Sequence, residues 1–202
     1  MFEYKRLCDL CYIILDMNVY DWDKTIYDGD SSVDFIFYLF RNRPKTLLNA
    51  PLDIVCGLLY GLRIMPKQTF KQNVFRMFKY VDDMDKVVDE FTTLNLKKVK
   101  DWYKNNQKED DVVISASPEF LIYAFCKKVG IDNVMGSPVD IYTGEYSGLN
   151  CHGKEKVKRF NEVYKDEEID EFYSDSYSDD PLAKLSKKPY LVKGNELLTW
   201  EK

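Results

Sequence analysis

The sequence has few of the residues that define metal-bound or disulfide-bonded folds. It contains one histidine, His152, and five cysteines at irregular spacings. A disulfide framework is therefore not predicted, and reduced thiols in a cytoplasmic protein are expected. Cys8 and Cys11 form a C-x-x-C pair, but the sequence has no second pair to complete four zinc ligands, so a structural zinc site is not predicted either.

An excess of positive charge is also missing. The formal net charge is −5, and the sequence pI is about 5.1. Proteins that bind nucleic acids normally present a basic face, so the composition argues against a nucleic-acid partner. It favours small-molecule or protein partners, and it carries no prediction of the oligomeric state.

Long apolar runs are lacking as well. Asp9 interrupts the N-terminal MFEYKRLCDLCYIILD, and no small-residue cleavage site follows it, so a signal peptide is not predicted. Residues 46–65 are fairly apolar, but four residues interrupt them: Asn49, Pro51, Asp53 and Arg63. A spanning helix needs about 20 mostly apolar residues. The segment therefore predicts a buried helix or helix pair rather than stable membrane insertion, with interfacial membrane contact as the alternative.

What is present suffices for one domain with a sizeable insertion, since the chain has 202 residues and 45% of them are hydrophobic. Apolar residues at three- and four-residue spacing predict helices throughout residues 31–107. Residues 1–30 and 108–202 mix strand and helix patterns. We predict that they form a doubly wound, mostly parallel, Rossmann-like α/β core domain, with residues 31–107 as a helical cap domain. Met17 offers an alternative start, which would make residues 1–16 an upstream extension.

Polar side chains come where predicted strands end. Short apolar runs predict strands at residues 17–20 and 111–115, and a third strand begins at Ile169. Because ligands bind outside the carboxyl ends of such strands, we expect the residues there to converge. They are Asp21, Asp23, Ser115, Asp175 and Asp179. The remaining predictions are helices over 118–130 and 154–164, a hairpin over 139–148, and closing strands in PYLVKG and ELLTW.

Four motifs, taken in order, resemble the haloacid dehalogenase-like phosphatase superfamily. They are DWDKT at residues 21–25, VVISAS at 112–117, a lysine that opens a helix, and SDSYSDD at 174–180. The helical insertion directly after the first motif is similar to the phosphoserine phosphatase-like subgroup, subfamily IB. The resemblance extends from about residue 17 to the end of the chain. It implies a Mg²⁺-dependent hydrolase that acts on a phosphate monoester of a small metabolite through an aspartyl-phosphate.

The resemblance also implies a role for each acidic residue of the motifs. Asp21 would be the nucleophile and, with its carboxylate, a Mg²⁺ ligand. Asp23 would be the general acid and base, and its backbone carbonyl would be a second ligand. Asp175 would be the third ligand, and Asp179 would orient the metal or its waters.

Other matching positions are expected to bind phosphate or substrate. Thr25 would brace the loop, and Ser115, followed by Ala116, would hydrogen-bond a phosphate oxygen. Asp30 lies where the subgroup carries an acidic residue that binds the substrate's amine. Lys156 fits the position of the family lysine, which would offset charge on the phosphoryl group; Lys154 is the alternative.

Some positions depart from the family pattern and leave the substrate open. Trp22 stands between the two aspartates, Ala-Ser-Pro follows Ser115 in place of Gly-Gly, and Ser174 replaces a glycine. The aromatic residues of the segment DFIFYLF are expected in the core of the cap, with a pocket for a hydrophobic phosphate ester as the alternative. They are Phe35, Phe37, Tyr38 and Phe40.

Two rival functions use the same residues. A phosphotransferase or phosphomutase would pass the phosphoryl group to another hydroxyl instead of water. A non-catalytic phosphate-binding module is expected to lack a catalytic acid, and all four acids are present. Each motif taken alone could match by accident, and only their order favours the enzyme.

Overall fold

A twisted, mostly parallel sheet forms the centre of this computed structural model, which describes residues 17–165 and 167–201. The Cys8–Cys11 pair and the suggested extension therefore lie outside the described residues. Six strands occur in the described part: β1 Met17–Tyr20, β2 Val112–Pro118, β3 Asn133–Ser137, β4 Ile169–Ser174, β5 Ser186–Lys193 and β6 Glu196–Thr199. Their order is β3-β2-β1-β4-β5-β6, and β6 alone pairs antiparallel to its neighbour. The predicted fold class is confirmed.

Helices cover both faces of this sheet. The helices of the described part are α1 Ser31–Asn42, α2 Ala50–Gly61, α3 Lys67–Phe75, α4 Met84–Asn95, α5 Asp101–Lys104, α6 Glu119–Val129, α7 Lys154–Tyr164 and α8 Asp180–Ala183. Side chains alternate across a strand, so Tyr20 of β1 packs with the α1, α4 and α6 side chains of one apolar cluster. Val19 packs with Phe160 of α7 and Leu182 of α8 in the other.

The helical insertion lies between β1 and β2, as the sequence pattern predicts. It comprises α1 to α5 with three short 3₁₀ helices, Pro44–Asn49, Arg76–Tyr80 and Leu96–Lys98. The division of the chain into a core domain and a cap domain over residues 31–107 stays a prediction.

Three features of the second half differ from the sequence-based expectation. Strand β3 was not predicted, because NVMGS combines an asparagine and a glycine with only two apolar residues; its pairing with β2 stabilises it. The expected hairpin over 139–148 is reduced to one bridge between Val139 and Tyr146 around a turn. Strand β2 also continues past Ser115 to Pro118, with an irregular register after Ile114.

The apolar segment over residues 46–65 is not the buried helix or helix pair that its composition predicts. Cys56 is the buried residue of α2, whereas Ile54 and Leu58 are each 65% exposed. In the described part of the chain, helices are all too short or too polar to cross a bilayer. The expectation of burial fails because α2 lies over a cavity rather than over the sheet.

The turn at Gly144 generates a stability prediction, since a Cβ there would lie 2.1 Å from the backbone oxygen of Phe75. We expect Gly144→Ala to lower the free energy of unfolding by about 3 kcal/mol or more, because it adds a backbone clash to a strained left-handed conformation. Gly194 also has a positive φ, but a Cβ there would meet no described atom within 4 Å, so Gly194→Ala should cost only about 1 kcal/mol. Urea unfolding measures both, and equal losses would contradict the close contact.

Candidate active site

The end of β1 places Asp21 where the strand order reverses. The backbone N–H of Asp21 donates to Tyr173 O of β4 at 2.8 Å. The next residue, Trp22, is fully buried and its rings lie against Tyr27 and Phe125. Its carbonyl oxygen accepts the backbone N–H groups of the next turn, those of residues 25, 26 and 27. The unusual tryptophan thus anchors the loop that carries both aspartates.

A lysine from the helical insertion secures the same loop from the other side. The Lys100 Nζ donates to the carbonyl oxygens of Lys24, at 2.5 Å, and Gly194, at 2.6 Å. Lys24 has a φ of 61°, a conformation that is strained for a residue with a side chain. The two hydrogen bonds therefore stabilise the strained turn after Asp23 and connect it, through Lys100, to the loop between β5 and β6.

Lys156 lies between two buried carboxylates. Its Nζ is 2.6 Å from Asp21 Oδ1 and 2.7 Å from Asp179 Oδ2. The Ser174 hydroxyl donates to the same Asp179 oxygen at 2.9 Å. Lys156 is 1% exposed, and Lys154 is on the surface of the same helix. The structure thus brings Lys156, and not Lys154, to Asp21.

Burial and the charges of the neighbouring groups together set the protonation of this cluster. It raises the pKa of Asp21 to about 7, against the opposing charge of Lys156 and with a further increase from Asp179. Burial lowers the pKa of Lys156, but the carboxylates of Asp179 and Asp21 outweigh it and raise the pKa above its ordinary value. Lys156 therefore stays protonated and supplies a cation that the two acids share.

Serine side chains hold both carboxylate oxygens of Asp23. Oδ1 accepts from the backbone N–H and the hydroxyl of Ser31, each at 2.6 Å, and Oδ2 accepts from the Ser117 hydroxyl. Ser117 in turn lies 2.7 Å from the Ser32 hydroxyl. Burial raises the pKa of Asp23, and the Ser117 and Ser31 hydrogen bonds oppose that rise.

Sequence reasoning did not assign a role to Ser31 or Ser117. The replacement of Gly-Gly by Ala-Ser-Pro was noted as a departure, and it is this change that introduces the Ser117 hydroxyl. Ser31 directly follows Asp30 at the start of α1. A serine at the first turn of a predicted helix usually indicates a cap, so its side chain carried no separate signal for the site.

The predicted phosphate-binding positions lie beside these acids. Ser115 and Ala116 line the same cavity as Asp21, and Ser115 Oγ accepts from the backbone N–H of Ser117 at 3.1 Å. The Ala116 carbonyl accepts from Lys71 Nζ at 2.7 Å. Burial lowers the pKa of Lys71 to about 8, with a further contribution from the Lys67 charge. Lys71 is a second positive group at the site that the sequence motifs did not indicate.

Asp30 and Thr25 have different positions relative to the cavity. Asp30 lines it and also caps α1, where its carboxylate accepts from the backbone N–H of Val33 at 3.0 Å. Thr25 is fully buried and is not among the described residues that line the cavity. His152 lines the cavity from the loop before α7.

The oxygen atoms near Asp21 and Asp175 fit a hard divalent cation. Both carboxylates line the cavity, and within the described ranges no hydrogen bond is accepted by Asp21 Oδ2 or by either carboxylate oxygen of Asp175. No group of three acidic, histidine or cysteine side chains in those ranges could hold a metal alone. Mg²⁺ commonly takes one or two carboxylates and completes its shell with carbonyl, water and phosphate oxygens. The donor set fits that pattern.

The cavity has a polar end and an apolar end, with a volume of about 550 Å³. The end lined by α1, α2 and α3 is mostly apolar: Val33, Ile36, Phe37, Phe40, Tyr60, Phe70, Val74 and Phe75. The charged residues that α2 and α3 contribute to the lining are Asp53, Lys67 and Lys71. The expectation that the DFIFYLF aromatics form the cap core is therefore only partly right. Phe35 is buried in the core, while Phe37 and Phe40 line the cavity.

Comparisons with known proteins agree with this geometry. A family model described as haloacid dehalogenase-like hydrolase matches residues 19–184. A histidinol-phosphatase of Neisseria meningitidis serogroup C (strain 8013) is 32% identical over 96 residues, which are 42% of this chain. The chain spans 43% of the length of that curated relative.

Two solved structures share the fold at low sequence identity. A protein of unknown function from Bordetella pertussis Tohama I has a TM-score of 0.71 and 16% identity, covering 86% of this chain and 87% of its own. A phosphoserine phosphohydrolase-like protein from Francisella tularensis subsp. tularensis SCHU S4 has a TM-score of 0.50 and 16% identity, covering 86% and 85%. At these identities the two structures support the fold alone.

The shared lysine generates the prediction that Lys156→Met destabilises the protein by about 3–5 kcal/mol at pH 8 in EDTA, because it leaves two buried carboxylates without a cation. Without that cation, burial should raise the pKa of Asp21 further above its unfolded value. The loss should therefore be full at high pH and shrink as the pH falls and Asp21 takes up a proton. Urea unfolding at pH 8 and pH 5 measures this.

Lys154→Met is the matched control, since Lys154 is exposed on the same helix. It should change the free energy of unfolding by less than about 0.5 kcal/mol. Similar losses for the two variants, or a Lys156→Met loss that does not depend on pH, would contradict the buried ion pairs.

Proposed function

The chain belongs to the haloacid dehalogenase-like hydrolase family, and on that basis we propose that it is a Mg²⁺-dependent phosphomonoester hydrolase. The observation that carries the proposal is the ion pair between the buried Lys156 and Asp21. Beside this pair, hydrogen bonds from Ser31 and Ser117 hold the two carboxylate oxygens of Asp23. The name of the similar curated protein, histidinol-phosphatase, also supports hydrolysis of a phosphate monoester.

In the first step, the Asp21 carboxylate attacks phosphorus and forms an aspartyl-phosphate. The bond from phosphorus to the ester oxygen breaks, and Asp23 in its protonated form donates the proton that the leaving alcohol needs. Burial favours that protonated form, because it raises the pKa of Asp23. The Lys156 ammonium offsets negative charge on Asp21 and on the transferring phosphoryl group.

In the second step, water attacks the aspartyl-phosphate and releases inorganic phosphate. Asp23, now a carboxylate, accepts a proton from that water, and the bond between phosphorus and the Asp21 oxygen breaks. The Ser31 and Ser117 hydrogen bonds hold the Asp23 carboxylate in one orientation for both transfers. Ser115 and the adjoining Ala116 would bind phosphate oxygens from the strand β2 side.

Mg²⁺ would be held by the Asp21 and Asp175 carboxylates and the Asp23 carbonyl, with Asp179 orienting its waters. When bound, it would neutralise charge on the phosphoryl oxygens. The helices over residues 31–107 would act as a cap that selects the alcohol part of the ester. Thr25 would brace the catalytic loop, and Asp30 is available to an amine on the substrate. The cytoplasmic location stays a prediction.

The nucleophile generates the first functional prediction. Asp21→Asn should lower phosphate release at least 10³-fold, because an amide cannot form the aspartyl-phosphate. Asp28 is exposed in the same loop, so Asp28→Asn should retain activity. The assay measures inorganic phosphate from phosphoserine, histidinol phosphate, phosphoethanolamine, phosphocholine, sugar phosphates, nucleotides and a lipid phosphate, with Mg²⁺ and with EDTA.

Each outcome of this panel has a defined meaning. Release that needs Mg²⁺ and disappears in Asp21→Asn supports the hydrolase. No release from any ester by folded protein with Mg²⁺ contradicts it. If an added alcohol or sugar gains the phosphoryl group while little phosphate is released, the protein is a phosphotransferase or phosphomutase.

The Asp23 hydrogen bonds generate a second prediction. Ser117→Ala should lower kcat about tenfold and change KM by less than about twofold, because a loosely held acid and base loses orientation rather than substrate affinity. Ser147→Ala, an exposed position on the 139–148 turn, is the control. An unchanged kcat in Ser117→Ala would show that this hydrogen bond does not position Asp23.

A further inference from the structure

The surface of residues 48–64, which comprise α2 and its flanking residues, is strongly apolar. Six of its large side chains are each 53–69% exposed: Leu48, Ile54, Val55, Leu58, Leu62 and Ile64. We call these residues the α2 apolar face. A contiguous exposed apolar surface on a soluble domain usually marks a binding site for another protein or a membrane.

The helix is apolar on its other side as well. Cys56 is buried, Tyr60 stacks on Phe70 of α3 at 4.8 Å, and Tyr60 also lines the cavity. Asp53 is the one charged residue in the twelve residues of α2. A helix that is apolar all round is normally buried. The outer side of α2 is therefore suited to contact another apolar surface, and the described part of the chain does not provide one.

The charge of this region indicates which environment that is. Residues 35–81 contain eight arginine and lysine residues and one acidic residue, Asp53, which give a formal charge of +7. The whole chain has −5, so the other residues carry −12. Arg41, Arg63 and Lys67 are exposed and form no salt bridge with a residue in the described ranges. Basic groups beside an apolar face complement an anionic bilayer surface.

The neighbouring chemistry favours lipid over other anionic partners. Single-stranded nucleic acids stack on aromatic side chains, whereas the exposed groups of the α2 apolar face are aliphatic. With twelve residues, α2 is too short to span a bilayer, which needs about 20. A short helix with an apolar outer side and flanking basic residues is typical of attachment in the plane of the interface.

The apolar face adjoins the apolar end of the cavity. Phe37 of α1 lines the cavity and is also 65% exposed, and Tyr60 of α2 lines it from the inner side of the same helix. An alkyl chain could therefore pass from the surface to the cavity along apolar side chains, while the phosphate reaches Asp21 at the polar end.

We propose that the α2 apolar face docks on a bilayer that contains anionic lipids, and that the cavity takes from this bilayer a phosphate monoester with an apolar chain. The substrate part of this proposal rests on the proposed hydrolase function. The docking part does not, because it depends only on the surface.

The docking test is sedimentation with vesicles of phosphatidylcholine alone or with added phosphatidylglycerol. Wild-type protein and Asp21→Asn should both bind the anionic vesicles, and Leu58→Glu should lower that binding at least about tenfold, since it places a charge in the apolar contact. Leu94 is an exposed leucine on α4, so Leu94→Glu is the matched control and should bind like wild type. Unchanged melting temperatures would establish that both glutamate variants are folded.

Two outcomes would overturn the docking proposal. One is wild-type protein that stays in the supernatant with anionic vesicles. The other is a wild-type dimer by light scattering that Leu58→Glu converts to a monomer without vesicle binding by either form, which would make the face an interface between two copies of the chain.

The substrate test compares phosphatidic acid in vesicles with glycerol 3-phosphate, which has the same phosphate ester without the chains. Wild-type kcat/KM should be at least tenfold higher for phosphatidic acid, and Leu58→Glu should reduce that preference while Leu94→Glu keeps it. Equal or lower rates on phosphatidic acid, with glycerol 3-phosphate or another soluble ester hydrolysed, would overturn the lipid substrate alone. Vesicle binding with no ester hydrolysed would overturn the proposed function and leave the docking supported.

Discussion

The buried ammonium group of Lys156 allows two carboxylates to lie together at the polar end of the cavity. Asp21 and Asp179 would repel each other, and each would be driven to take up a proton if it were buried without a cation. Lys156 contacts both at 2.6 and 2.7 Å, and such contacts offset desolvation only when the geometry is closely maintained. The end of β1, the turn after β4 and the first turn of α7 must therefore meet at one point. The reversal of strand order between β1 and β4 provides that point.

The backbone around this cluster is held by groups that do no chemistry themselves. Trp22 fills the core between the two aspartates, and its carbonyl closes the turn that follows. Lys100 reaches from the helical insertion to bind two carbonyl oxygens, one of them that of the strained Lys24. The insertion thus contributes to the loop that carries Asp21 and Asp23 as well as to the cavity wall. Substitutions in the insertion are therefore expected to affect the positions of these two acids.

Most strands and helices could be predicted, because buried strands and amphipathic helices leave periodic apolar patterns and turn residues in the local sequence. Strand β3 could not, because its stability comes from pairing with β2 rather than from its own composition. The convergence of polar residues at the strand ends could be predicted from the fold class. Lys156 could be placed by resemblance and helix position. The serines that hold Asp23 could not, because hydroxyl contacts such as that of Ser117 with Asp23 join residues 94 positions apart. The exposure of α2 could not be predicted either. Apolar composition predicts burial, but it does not say whether the sheet, a cavity or an outside partner covers the helix.

The lining of the cavity matches the two parts of the proposed substrate. Acids and lysines lie at one end, where the phosphate would bind, and mostly aromatic and aliphatic side chains lie at the other, where the alcohol part would bind. In the proposed mechanism, Asp21 forms a covalent bond to phosphorus. This bond can be tested by quenching the enzyme with acid during turnover, reducing it with borohydride and analysing its peptides by mass spectrometry, because reduction converts an aspartyl-phosphate to homoserine. We expect homoserine at position 21 in the wild type during turnover and none without substrate. Turnover with position 21 unmodified, or with the modification at another aspartate, would contradict it.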